Sequence, residues 1–97
     1  RAAIKGLSDA QFRVGICYEF GFGVSKDLSL AFEWYKKSAE SGFPEGCYNL
    51  GRCYFLGIGT EVNEEEAIKW IQLSAEKENW QGLCQMGLFY FYGRIVE

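Results

Sequence analysis

One stretch of this chain recurs at a fixed interval. Leu50-Gly51-Arg52-Cys53-Tyr54-Phe55-Leu56-Gly57-Ile58-Gly59 has a counterpart 36 residues earlier, Val14-Gly15-Ile16-Cys17-Tyr18-Glu19-Phe20-Gly21-Phe22-Gly23. A shorter one lies 36 residues later, Met86-Gly87-Leu88-Phe89-Tyr90-Phe91-Tyr92-Gly93. Gly15, Gly51 and Gly87 are in register, and so are Tyr18, Tyr54 and Tyr90. A period of this size marks an array of small units, each of which buries its apolar face only by stacking on its neighbours.

Within each period the apolar spacing is helical. In Ser8 to Phe20, the positions Ala10, Val14, Gly15 and Tyr18 recur at steps of three and four, which predicts a first helix. The turn from Phe20 to Lys26 is punctuated by Gly21 and Gly23. Asp27 is the expected N-cap of a helix from Leu28 to Ser41, with Leu28, Ala31, Phe32, Tyr35 and Ala39 on one side. Gly42 stands where a helix C-terminal glycine is favoured.

The second period repeats this plan. Pro44 suits the first turn of a helix that runs to about Leu56. Asn63 and Glu66 have capping-box spacing ahead of a helix from Glu64 to Lys77. Glu78 replaces the glycine that the first unit has at Gly42, so Asn79 is expected to take the left-handed backbone conformation. Trp80 to Tyr92 is a fifth helix, and Ile95 replaces the second glycine of the turn after it. The units are therefore 8–43, 44–79 and an opening helix in 80–97. Residues 1–7 match the tail of a preceding unit, so the chain reads as part of a longer array. Without a partner helix, the face of Met86, Phe89 and Tyr90 is expected to lie open, as a potential surface for self-association.

Gly15, Gly51 and Gly87 fall in mid-helix, where glycine costs roughly 0.5–1 kcal/mol relative to alanine. Three such residues in register call for close approach by a facing helix or ring. Trp34 and Trp70, with Tyr18, Tyr54 and Tyr90, are large enough to fill the space between the layers.

Two antiparallel helices per unit follow the tetratricopeptide plan. With its longer period and two-glycine turn, the chain more closely resembles the Sel-one-like repeat. The first unit carries Ala10, Val14, Gly15, Tyr18, Gly21, Gly23, Val24, Asp27, Ala31, Trp34, Tyr35, Ala39, Glu40 and Gly42 of that pattern. The second carries Gly46, Leu50, Gly51, Tyr54, Gly57, Gly59, Ala67, Trp70, Ala75 and Glu76, and departs at Thr60, Asn63, Ile71 and Glu78. The resemblance implies an all-α fold, a right-handed α-solenoid of antiparallel helix pairs with partial repeats at both ends. It also implies a role as an adaptor that assembles protein complexes.

Charge and composition narrow the partners. A net charge of −3 and a pI near 5.0 argue against a nucleic-acid backbone or an anionic membrane, both of which call for clustered Lys and Arg. No apolar run reaches the roughly 18 residues of a membrane span. Histidine is absent, and Cys17, Cys47, Cys53 and Cys84 lack zinc-knuckle spacing, so no metal or other cofactor is expected. The thiols are read as reduced and buried in a cytoplasmic setting, with a secretory-pathway lumen left open.

Catalytic readings fare poorly. Gly21-Phe22-Gly23 lacks the third glycine and preceding strand of a nucleotide-binding loop, and it recurs as a structural turn. Glu64, Glu65 and Glu66 sit at a helix N-terminus, where negative charge is favourable in any case. Cys17 and Cys53 are duplicates in register, which suits core residues better than a nucleophile. No enzymatic activity is expected.

A binding surface remains. In tetratricopeptide-like solenoids the first helix of each unit lines the concave face. Beside the Leu-Gly and Tyr landmarks, the rows expected there are Phe12, Arg13, Ile16 and Glu19; Tyr48, Asn49, Arg52 and Phe55; and Gln85, Leu88 and Phe91. Aromatic anchors interleaved with Arg, Asn and Gln donors suit a peptide or a partner domain. The expected function is a protein-interaction scaffold. The alternative is a structural or regulatory spacer of a larger enzyme, such as a kinase or a membrane-associated synthase.

Overall fold

The computed structural model describes residues 2–93, with side chains from Gly6 onward. Among the described residues, five helices follow one another: α1 (Ala2–Phe20), α2 (Leu28–Glu40), α3 (Pro44–Leu56), α4 (Glu64–Glu76) and α5 (Trp80–Phe91). There is no strand among the described residues. Short turns make consecutive helices antiparallel, and each packs on the next, with α1 also touching α3. The result is an all-α solenoid.

The caps explain where the helices begin. The Asp27 carboxylate accepts from the Leu30 N–H at 3.1 Å, and the Asn63 side chain accepts from the Glu66 N–H at 3.1 Å. The capping box is half made, however. The Asn63 N–H donates to the Tyr54 carbonyl at 2.8 Å, so the Glu66 carboxylate turns to Trp70 Nε1 at 3.2 Å. The Asp27 N–H likewise donates to the Tyr18 carbonyl at 2.9 Å. Both long turns are thereby tied back to the helix they leave.

The paired glycines of those turns do different work. Gly57 ends α3 in the left-handed conformation, and its N–H reaches the Cys53 carbonyl at 2.8 Å. Gly59 permits a contact between units. A methyl group there would run into the Leu28 carbonyl oxygen and lie 2.9 Å from Phe32 Cβ, so this turn lies against the start of α2.

Two buried clusters follow. The larger holds Ala31, Phe32, Tyr35, Ala39, Cys47, Leu50 and Cys53, flanked by side chains from α1 and α4. The second holds Ile71, Met86 and Phe89. Small residues let successive units meet. Gly46 faces Ser38 and Ala39, and Gly82 faces Ser74 and Ala75 in the same way.

Several sequence expectations shift. Helix α1 does not begin at Ser8 but runs from Ala2, and Gly6 lies inside it without a positive φ. Ala2, Ala3 and Lys5 are good helix formers, so nothing local breaks the helix there. The left-handed residue after α4 is Glu78 itself, at φ 63°, because Asn79 is committed as the N-cap of α5 and accepts from Gly82 N–H at 3.0 Å. Trp34 is half-buried with Lys37 Nζ over its ring, and Tyr35 fills the space between the layers. Met86 and Phe89 are buried against α4 and α3, so the open face of α5 is that of Leu83, Gly87 and Tyr90. Cys47 and Cys53 are buried as expected, but Cys84 is exposed, and all four thiols are free. The substitution at Ile95 lies outside the described residues.

Candidate functional site

The expected rows fall on α1, α3 and α5, where the 36-residue register aligns Arg13 with Asn49 and Gln85, and Ile16 with Arg52 and Leu88. Their exposure is uneven. Phe12 packs against Tyr35 and Phe43 at ring separations of 6.0 and 5.5 Å, and Ile16 lies against the larger cluster. Tyr48 and Phe55 flank the second cluster, with Phe55 5.7 Å from Phe89. These four are half-buried packing residues, which offer edges rather than whole side chains to a ligand. Gln85 is also half-buried, while Leu88 and Phe91 are exposed. Arg13 is open to solvent and held only by Asp9, one turn earlier, at 3.1 Å.

Two further members, expected to be exposed, are buried outright. Glu19 is 6% accessible and Asn49 is 8%. The cause is a polar network that crosses three helices. Glu19 Oε1 accepts from the Tyr35 hydroxyl on α2 and from Arg52 NH2 on α3, each at 2.6 Å. Arg52 Nε donates to Asn49 Oδ1 at 3.0 Å, and Asn49 Nδ2 donates to the Glu45 carbonyl at 3.0 Å. Each buried polar group thus has a partner, which is what makes its burial tolerable.

The electrostatics follow from this arrangement. Burial works against the charge on Arg52, but the hydrogen bond and charge of Glu19 outweigh it and hold the guanidinium above its ordinary pKa. Burial pushes the Tyr35 hydroxyl up, and its bond to Glu19 adds to the effect. The Cys53 thiol is pushed up to about 12, chiefly by burial. A thiol held protonated in this way is a poor nucleophile. No group of three or more metal-ligating side chains occurs among the described residues. The arrangement can therefore present a fixed, partly exposed cation with apolar edges beside it.

Sequence reasoning placed Arg52, Asn49 and Glu19 together on the exposed rows, and it missed the burial of Asn49 and Glu19 and the link through Tyr35. A signal was present. Glu19 occupies the position that Phe55 and Phe91 hold in the other units, and Arg52 the position of Ile16 and Leu88. Opposite charges replace apolar residues at two positions that adjacent units bring together.

Known proteins share this design. The sequence pattern of the Sel1 repeat matches residues 8–43, 44–79 and 80–97. Chitin synthase regulatory factor 3 of Schizosaccharomyces pombe is 49% identical over 45 residues, which are 46% of this chain and 5% of that protein. DAP3-binding cell death enhancer 1 of Rattus norvegicus is 49% identical over 41 residues, 42% of this chain and 8% of that protein. The chain thus matches only a small part of the length of these relatives. The crystal structure of a Sel1 repeat protein from Oxalobacter formigenes superposes with a TM-score of 0.85 at 37% identity, over 89% of this chain and 35% of that one. Such repeats form a scaffold fold that is generally non-catalytic and serves protein interaction or regulation. With the family pattern spanning three successive units, the chain belongs to the Sel1 repeat family.

Proposed function

We propose that this chain is a protein-interaction scaffold that binds a peptide or a partner domain along the row of first helices, without chemistry of its own. The observation that carries the reading is the fixed Arg52 guanidinium, set between Glu19 and Asn49 and a quarter exposed at its side chain. A side chain already held in place loses little freedom on binding, which favours affinity. Arg13 and Gln85 continue the polar row on the neighbouring helices, and Leu88 and Phe91 add apolar contact.

Capture from a native lysate by crosslinking tests this, comparing wild type with Arg13→Glu/Gln85→Lys/Leu88→Glu at matched folding. A partner lost in the triple variant supports the row as the site. A partner retained by it moves the site elsewhere on the molecule. Arg52 itself is left intact, because a second carboxylate beside Glu19 would unfold the comparison.

A second reading is a regulatory segment of a larger assembly, favoured by the likeness to a protein named as a chitin synthase regulatory factor. In that case the chain alone should capture nothing, while the parent protein should lose its response when the units are deleted.

A further inference from the structure

Both tryptophans of the second helices hold a cation. Lys37 Nζ lies 4.4 Å from the centre of the Trp34 ring, and Lys69 Nζ lies 5.5 Å from that of Trp70. Trp34 and Trp70 occupy the same position in successive units, but the two lysines do not. Lys37 follows its tryptophan by three residues, and Lys69 precedes its own by one. What recurs is therefore the ammonium over the ring, reached from two different places in the helix. The arrangement does not arise from an uncovered end of the array, because Trp34 keeps it with the following unit packed in place.

The surroundings suit a positive charge. Trp70 Nε1 donates to Glu66 Oε1 at 3.2 Å, and the same oxygen pairs with Lys69 Nζ at 3.7 Å, so a carboxylate stands at the edge of the ring. Lys69 also lines a recess of about 330 Å³ on α4, together with Gln72, Leu73 and Glu76. That volume is near the lower limit of roughly 300 Å³ for ligand sites, and the lining sets a half-buried leucine beside a second carboxylate. Helices α2 and α4 carry two and four carboxylates against three lysines, which favours a basic partner over an acidic one.

The resident lysine is a weak occupant. The Lys69 side chain is 64% accessible, and a cation–π contact at an exposed site contributes little. An arginine fits the place better, because its planar guanidinium can stack on an indole while its N–H edge meets a carboxylate.

We propose that the Trp34–Trp70 row binds a basic segment of a partner protein through two arginines, each displacing a lysine from its ring. At Trp70 the guanidinium stacks on the indole with its N–H edge toward Glu66, and its methylene stem lies in the recess along Leu73. Lys37 and Lys69 occupy the rings when no partner is bound. This surface is separate from the Arg13–Arg52 row and does not depend on it.

The probe is an acetylated, amidated peptide with two arginines joined by four glycines, titrated into the whole chain and read by calorimetry. Its counterpart carries citrulline, which keeps the shape and removes the charge. The arginine peptide should bind saturably, and about tenfold or more tighter than the citrulline peptide. Lys37→Ala/Lys69→Ala uncovers both rings and should tighten binding severalfold. Lys26→Ala removes a charge from a turn and should change it little. Trp34→Leu/Trp70→Leu should abolish binding. Where that variant folds poorly, Glu66→Gln, which keeps an acceptor for Trp70 Nε1, should weaken it. Equal binding of the citrulline peptide, or binding that the double lysine variant leaves unchanged or weakens, overturns the proposal. So does absent binding, an equal gain in Lys26→Ala, or loss in Arg13→Glu/Gln85→Lys/Leu88→Glu, which would move the peptide to the first helices.

Discussion

Arg52 on α3 and Glu19 on α1 meet at 2.6 Å across the boundary between the first two units, and the Tyr35 hydroxyl on α2 completes the contact. One carboxylate therefore joins three helices. Removing its cationic partner leaves a buried charge with a single neutral donor. Arg52→Met should destabilise the fold by about 2–3 kcal/mol, less than a fully buried pair because the guanidinium is partly solvated. Replacing Glu19 and Arg52 with side chains found at their positions in the other units, Glu19→Phe/Arg52→Leu, and removing the unpaired hydroxyl by Tyr35→Phe, should recover most of that loss. Urea denaturation of the single and triple variants measures both. A single variant as stable as wild type would mean that the network is ornamental.

The glycine row makes a second prediction. Gly51→Leu improves helix propensity but drives a side chain into Ile71 and the Ala67 carbonyl, and should cost about 2–4 kcal/mol. Gly87→Leu, with nothing to strike, should be neutral or stabilising by up to about 1 kcal/mol. Opposite signs in thermal melting are the expected result. Equal losses would show that helix packing does not govern this row.

Glu78 holds a positive φ of 63° at the position where Gly42, in the preceding unit, has 89°. A β-carbon in that conformation costs roughly 1–2 kcal/mol. Glu78→Gly should raise stability by about 1 kcal/mol, reduced by the greater freedom of glycine in the unfolded chain. Calorimetry that found a lower midpoint would contradict this account of the turn.

Alkaline pH should loosen the fold through its buried thiols. The Cys53 thiol ordinarily ionises near 9.0 and is raised to about 12 in the folded chain, so folding favours its protonated form. That stability is fully present below 9.0 and is lost as pH rises toward about 12, at up to about 1.4 kcal/mol per pH unit for one group. Tyr35 and Cys47 are raised as well and act in the same direction. Cys53→Ala should flatten the decline in urea midpoint across this window. An unchanged slope would place the sensitivity elsewhere.

The helices were legible because their signals are local. The spacing of Ala31, Phe32 and Tyr35, the cap at Asp27 and the proline at Pro44 each act within a turn or two, and the element bounds follow from them. The glycine row announced close packing, and Gly15 and Gly51 show it. What escaped depends on which unit lies beside which. Glu19 has the composition of a solvent-facing residue until Arg52, 33 positions away, is placed against it. Trp34 has the size of a core residue, but helical phase puts Tyr35 in the core. The expected rows on the first helices mixed two classes for the same reason. Phe12 and Phe55 hold the units together, whereas Arg13 stays exposed, paired only with Asp9 one turn earlier among the described residues.

The contact of Gly59 with the start of α2 bears on how such an array responds to load. Because the turn of the second unit rests on the helix of the first, a unit cannot swing about its turn like a bead on a string. Pulling the ends apart must shear that seat and the Glu19–Arg52 link together. The chain should behave as a stiff spring whose extension comes from small rotations shared among its helices, yielding abruptly once one seat gives way.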